Sequence, residues 1–383
     1  MNRKLLVAGV FALTAMVALS GCIGGNGGGD SADVDVVEFV PNEADGVFHI
    51  DMAILEDQTT ADLANAFIEM DMEQQGEDYE GPESYDEIWE EFEQGSDTEF
   101  DPRDLHEAVV FGSVPEDPEM VEEDGYTAGV LSADLTEDEM VGLVEQNATV
   151  EADEYEGVPF YTVEPDTGSA SYMAVLQEGV FSFGTEQAVR DTVDVSQGDA
   201  ETLSGDLREE LDRVRDGYIN FAFSVPDSAM PSQGGQGSQS PFSAFEKVTV
   251  VSGSYYTDGD TVGVSTNMRA DSGDDAQDVS DAVDGLAALG RMSFGEEVND
   301  ILEPLEVERD ESTVLVTYET TVDQLVEDIE SLENLGMPGP SSPGASPPGS
   351  PDGDTGGTGP QPPQGSFDDD GMGREPPQGS FDG

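Results

Sequence analysis

The sequence predicts an α+β protein: antiparallel sheets with helices packed on one face, arranged as two related halves and followed by a disordered C-terminal tail. Three observations predict it. Short runs alternate in the manner of strands; Tyr218, Asn220, Ala222 and Ser224 face one way while Ile219, Phe221 and Phe223 face the other. Turn signals join neighbouring runs, with Asp258-Gly259 between two β-rich stretches and Gln177-Glu178-Gly179 between two more. Helix-start signals fall between strand pairs whose links are too short for parallel crossovers.

Taken in order, alternation predicts strands over 46–52, 107–114, 125–132, 148–152, 158–163, 171–177, 179–184, 217–224, 247–256, 261–268, about 304–309, and 312–320. Ser84-Tyr85-Asp86-Glu87, Thr136-Glu137-Asp138-Glu139 and Thr321-Val322-Asp323-Gln324 resemble capping boxes and predict helix starts. The third is followed by Val322, Leu325, Val326 and Ile329 on one helical face. Tyr85, Ile88, Trp89 and Phe92 share the spacing of a buried helical stripe. Leu207, Leu211 and Val214 form another, ended by Gly217, and a further helix is expected over about 275–291.

Asp45-Gly46-Val47-Phe48-His49-Ile50-Asp51 and Asp216-Gly217-Tyr218-Ile219-Asn220-Phe221-Ala222 open two stretches that share the order β, ββ, α, ββ. The second strand pairs are matched as 148–152 with 158–163, and about 304–309 with 312–320. A duplication and a chance likeness between two α+β stretches both explain this. The chain divides into a signal peptide (1–21), a tether (22–35), a first half (36–200), a second half (201–335) and a tail (336–383). A low-complexity loop interrupts the second half at 231–241. In the tail, Pro362-Pro363-Gln364-Gly365-Ser366-Phe367-Asp368 recurs as Pro376-Pro377-Gln378-Gly379-Ser380-Phe381-Asp382, and Gly and Pro leave no periodic apolar face. Such a segment cannot offset its ordering entropy and is expected to be disordered.

Charge sets the environment. The 86 Asp and Glu against 12 Lys and Arg give a net charge of −74. High net charge usually accompanies disorder, yet hydrophobic residues make up 36% of this chain and fall in periodic runs. A fold with this charge requires screening. The Debye length shrinks from about 10 Å at 0.1 M salt to about 3 Å at 1 M. The composition therefore predicts a halophile's protein. It supplies no basic patch for phosphates, which excludes nucleic acid as a partner. The single cysteine excludes an intramolecular disulfide.

That cysteine ends an export signal. Arg3 and Lys4 precede an uncharged apolar run from Leu5 to Leu19, shorter than the roughly 20 residues of a membrane-spanning helix. The run closes on Leu19-Ser20-Gly21-Cys22 and is followed by the flexible Ile23-Gly24-Gly25-Asn26-Gly27-Gly28-Gly29. The motif resembles the lipobox of bacterial and haloarchaeal lipoproteins. That resemblance implies cleavage before Cys22 and attachment of a membrane lipid, of diether type, to its thiol. Arg3-Lys4 is not a twin arginine, which leaves the export route open.

Phe39-Val40-Pro41-Asn42-Glu43-Ala44-Asp45 before the first strand, and Phe183-Gly184-Thr185-Glu186-Gln187-Ala188-Val189 leading into a helix, resemble an uncharacterised family of exported prokaryotic proteins. The likeness covers most of 37–332 and implies no activity.

Catalytic signatures are absent: no Gly-x-Ser-x-Gly, no phosphate-binding loop and no His-Glu-x-x-His. His49 lies within a predicted strand and His106 just before one, and both are read as ordinary strand residues. No catalytic residue, metal site or cofactor is assigned. Asp258-Gly259-Asp260 and Asp352-Gly353-Asp354 lack the spacing of a calcium loop. The acidic stretch 71–104 reads as a solvated insertion, with cation or partner binding as the other reading. Asn147-Ala148-Thr149 is a glycosylation sequon, expected to be exposed. The functional expectation is a non-enzymatic, lipid-anchored surface protein facing the exterior, held to the membrane through Cys22 and binding or scaffolding an envelope partner. A transporter's solute-binding lipoprotein is the alternative, and a secreted hydrolase the third reading.

Overall fold

A computed structural model describes residues 34–75, 81–88, 102–113, 125–165, 169–226, 241–294 and 296–334. Cys22, Trp89, the loop 231–240, most of the acidic stretch 71–104 and the tail lie outside the described residues.

The strands are β1 (Gly46–Asp51), β2 (Leu105–Gly112), β3 (Thr127–Ala133), β4 (Ala148–Tyr155), β5 (Val158–Pro165), β6 (Ser171–Gln177), β7 (Val180–Gly184), β8 (Ile219–Ser224), β9 (Val248–Asp258), β10 (Thr261–Ala270), β11 (Leu305–Asp310) and β12 (Thr313–Thr321). The helices are α1 (Gln58–Gln75), α2 (Glu137–Val144), α3 (Glu186–Gln197), α4 (Gly205–Arg213), α5 (Gly273–Phe294), α6 (Glu296–Ile301) and α7 (Val322–Asn334). The architecture is α+β with antiparallel strands, as the alternation and hairpin signals predict. Thr136 forms the full capping box, with Glu139 N–H donating to its hydroxyl and Thr136 N–H donating to the Glu139 carboxylate at 2.9 Å. Ser84 and Thr321 accept from the amides of Glu87 and Gln324, at 3.2 and 3.3 Å. Asp258-Gly259 forms the β9–β10 turn, with Gly259 at φ 61°.

All twelve strands join one sheet, in the order β11-β12-β10-β9-β8-β1-β2-β3-β7-β6-β5-β4. The two halves meet where β1 pairs with β8, placing His49 opposite Asn220 and Phe48 opposite Phe221. Outward from that seam, β1-β2-β3-β7-β6 mirrors β8-β9-β10-β12-β11. The matching second hairpins are thus β6–β7 and β11–β12, each followed by a helix, α3 and α7. This corrects the match of 148–152 and 158–163 with the last strand pair. β4–β5 is an additional hairpin that caps the sheet edge. Chain order alone cannot distinguish the two hairpins; only the partner of β3 does, and that partner is β7.

Helices cover both faces of the sheet rather than one. Successive strand residues point to opposite sides, and here they enter separate cores. Val47, Val109, Phe111, Ala128 and Val130 pack with Ala188, Val189 and Val193 of α3 and with Leu207 and Leu211 of α4. Ile50, Ala108, Leu131, Met173 and Phe181 pack with Met140 and Leu143 of α2. A central strand with apolar residues in both registers has two faces to bury, so a single helical layer would leave one wet. A third cluster seats Ala276 and Val279 of α5 against Val248, Ala270 and Val314. Both edge strands are blunted by charge. Glu151, Asp153 and Glu154 are exposed on β4, as are Glu306 and Glu308 on β11, which opposes edge-to-edge pairing.

Candidate functional site

A polar cavity of about 290 Å³ lies at the seam between the halves. Its lining includes His49 and Asn220, the paired residues at the centre of the β1–β8 ladder. The other side chains come from the segment around the 3-10 turn Val36–Phe39, from α4, and from the link between α4 and β8.

Local sequence explains each placement. Asp35 caps the 3-10 turn by accepting the Val37 amide at 3.0 Å, and its other oxygen stands 3.7 Å from Arg208 Nη2. Arg208 lies one turn before Asp212 on α4, and Nε donates to that carboxylate at 2.9 Å. Arg215, past the end of α4, bonds Glu319 at 2.7 Å and lays its guanidinium over the Tyr256 ring, 3.8 Å from the centroid. That ring fits because Gly263 on the neighbouring strand has no side chain; a Cβ there would strike it. Asn220 Nδ2 donates to Gly217 O at 3.1 Å, while its Oδ1 is buried without a hydrogen bond.

His49 is largely buried and stands 3.5 Å from Glu107 Oε2 through Nε2. Glu107 is held below the usual carboxylate range, chiefly by that hydrogen bond and further by the charges of His49 and His106 and by the Val36 amide; its burial acts in the opposite direction. A depressed carboxylate pKa stabilises the fold above the unfolded value near 4.5, and the contribution is lost as pH falls through the folded value. Replacing His49 with Gln should therefore raise the Glu107 pKa. An NMR titration of the Glu107 carboxyl carbon measures it, and an unchanged midpoint would refute the assigned cause.

Beside the cavity, α4 is pinned to β10 and β12 by a buried ionic cluster. Glu210 is fully buried and accepts from Arg213 and Arg269, both at 3.2 Å, through Oε1; its Oε2 is buried without a hydrogen bond. Arg269 also reaches Asp206 at 2.8 Å and Glu209 at 3.2 Å. Arg213 donates to Thr313 Oγ1 at 2.9 Å.

His106 does not join this site. It pairs with Asp134 at 3.0 Å. It falls at the register shift between Leu105 and Glu107 in the β2–β3 ladder. Among the described residues, no group of three His, Cys, Asp or Glu side chains is placed to hold a metal. Asn147 is exposed in the turn between α2 and β4, as the sequon reading expects. Among the described residues, the cavity lining carries charge of both signs and an imidazole but no hydroxyl or thiol. It can engage polar or charged ligand groups. The sequence reading assigns Asp35, Arg208, Arg215 and Asn220 to no site. Nothing local marks them, because the cavity gathers them from three separated segments.

No protein-family model matches the chain, and no curated protein does. Among solved structures, crystal forms III and IV of TP0453 are similar at 9% and 8% identity, each with a TM-score of 0.42. The two alignments cover 79% and 77% of this chain and 100% and 96% of that protein. Crystal form I gives 9% identity and a TM-score of 0.39 over 79% of this chain and 98% of that one. A likeness at this level defines neither a common family nor a common function.

Proposed function

We infer that the chain is a lipid-anchored extracytoplasmic surface protein of a halophile, whose domain binds or scaffolds in the cell envelope without catalysing a reaction. Leu19-Ser20-Gly21-Cys22 carries the reading: the apolar run is short for a span, the motif fits a lipobox at each position, and a Gly-rich tether follows.

Mass spectrometry of the mature protein should find Cys22 at the N-terminus carrying a two-chain lipid, since one chain holds a protein only marginally. Cys22→Ser should leave the precursor uncut or release the protein to the medium. An unmodified Cys22 thiol in mature, membrane-bound protein would sink the proposal.

Solute binding is the second reading, favoured by the position of the cavity between two related halves. One continuous sheet joins those halves, which opposes the hinged closure of two lobes around a ligand. A serine- or cysteine-type hydrolase would need a hydroxyl or thiol beside His49, and the described residues that line the cavity include neither.

A further inference from the structure

We propose that the C-terminal half of α5 is a contact for a lipid surface, which fixes how the tethered domain lies on its membrane. The proposal rests on the lipid-anchor reading and extends it to the folded domain.

α5 has two unlike halves. Its N-terminal half is acidic and seated. Asp274, Asp275, Asp278, Asp281 and Asp284 crowd it, Lys247 bonds Asp275 at 2.6 Å and Asp278 at 2.7 Å, and Ala276 and Val279 are fully buried. Beyond Val279 no described residue of α5 is buried. There the composition inverts: residues 285–295 hold no carboxylate and one charge, Arg291, in a chain with 86 acidic residues. Leu289 is 52% exposed and Met292 82%, one turn apart on the same side, with half-buried Leu286 one turn earlier. The other large exposed hydrophobics, Phe223 and Val264, lie on strands and not beside this turn.

An apolar helical tip without carboxylates is anomalous on a surface whose solubility rests on charge. A lipid surface accounts for both features together. Leu289 and Met292 can enter the acyl boundary, as the apolar faces of interfacial helices do. Arg291, which also donates to Leu302 O at 3.1 Å, adds a cation at headgroup level, and residues 285–295 bring no carboxylate of their own to an anionic headgroup layer, the nearest in sequence being Asp284 and Glu296 at the ends of the segment. The geometry of attachment permits it. Eleven residues separate Cys22 from Val34, the first described residue, a span of at most about 40 Å of extended chain, so a lipid on Cys22 would hold the domain within reach of the bilayer.

The test uses the mature chain with Cys22→Ser, so that no lipid contributes, in 2 M potassium chloride with phosphatidylglycerol–phosphatidylcholine vesicles. Flotation should carry a measurable fraction of this protein with the vesicles. Adding Leu289→Glu and Met292→Glu should lower that fraction at least tenfold, with an unchanged circular dichroism spectrum. No flotation of the parent, or equal flotation of both proteins, overturns the proposal. So does a vesicle-free dimer that the two substitutions dissociate, since the patch then serves a second copy. The lipid-anchor reading is judged separately by the mass of Cys22, so each can fail without the other.

Discussion

Dialysis from 2 M to 0.1 M salt should unfold the domain, with loss of the far-ultraviolet circular dichroism of its sheet and helices. The cause is charge that the fold brings together. Along α5, Asp274, Asp278 and Asp281 are spaced at i+4 and i+3, where like charges repel, and Lys247 answers only Asp275 and Asp278. Both edge strands carry clustered carboxylates. At 1 M salt such repulsion reaches about 3 Å, and at 0.1 M about 10 Å, so many carboxylates that ignore one another in brine interact in dilute buffer. Removal of the proposed signal peptide would make the balance worse, since it would take away Arg3 and Lys4 and no carboxylate. Net stability of a domain is only about 5–15 kcal/mol, and weak repulsions summed over this many pairs are expected to exceed it. An unchanged spectrum and melting point at 0.1 M would refute the halophilic fold.

The second large effect is expected at the cluster that fastens α4 to β10 and β12. Arg269→Met should destabilise the domain by about 3 kcal/mol, because it leaves Glu210 buried with one partner in place of two and strips Asp206 and Glu209 of theirs. Adding Glu210→Gln should recover most of that loss, since removing both members of a buried pair costs far less than stranding one. Urea unfolding at molar salt measures both variants. A double mutant no more stable than Arg269→Met would show that the buried charge of Glu210 is not the source of the cost. Surface pairs offer the contrast: Arg190–Glu186, an exposed i, i+4 pair on α3, should contribute under about 1 kcal/mol.

Much of the fold was legible locally. Alternation located the strands because a half-buried strand repeats every two residues, and Thr136-x-x-Glu139 announced α2 because both groups of a capping box lie within four residues. α1 was missed. Its Asp57 cap, which accepts the Thr60 amide at 2.7 Å, precedes a helix with a weak apolar stripe, and α1 packs against α7, about 250 residues later in the chain. The site was less legible than the fold. His49 was visible as a strand residue, but its meeting with Asn220 depends on β1 pairing with β8.

By itself, the sequence determined the α+β class, the strand positions, the turns at Gly179 and Gly259, and the dominance of negative charge. Each is set by residues within one short window or by composition. Tertiary structure decided that β1 joins β8, that β6–β7 and not β4–β5 is the counterpart of the last hairpin, that helices take both faces, and that Asp35, Arg208, Arg215 and His49 border one cavity. Those outcomes depend on which long-range pairings bury the most apolar surface while satisfying every ladder. Strands with similar alternation compete for the same neighbours until the whole sheet closes around its two cores.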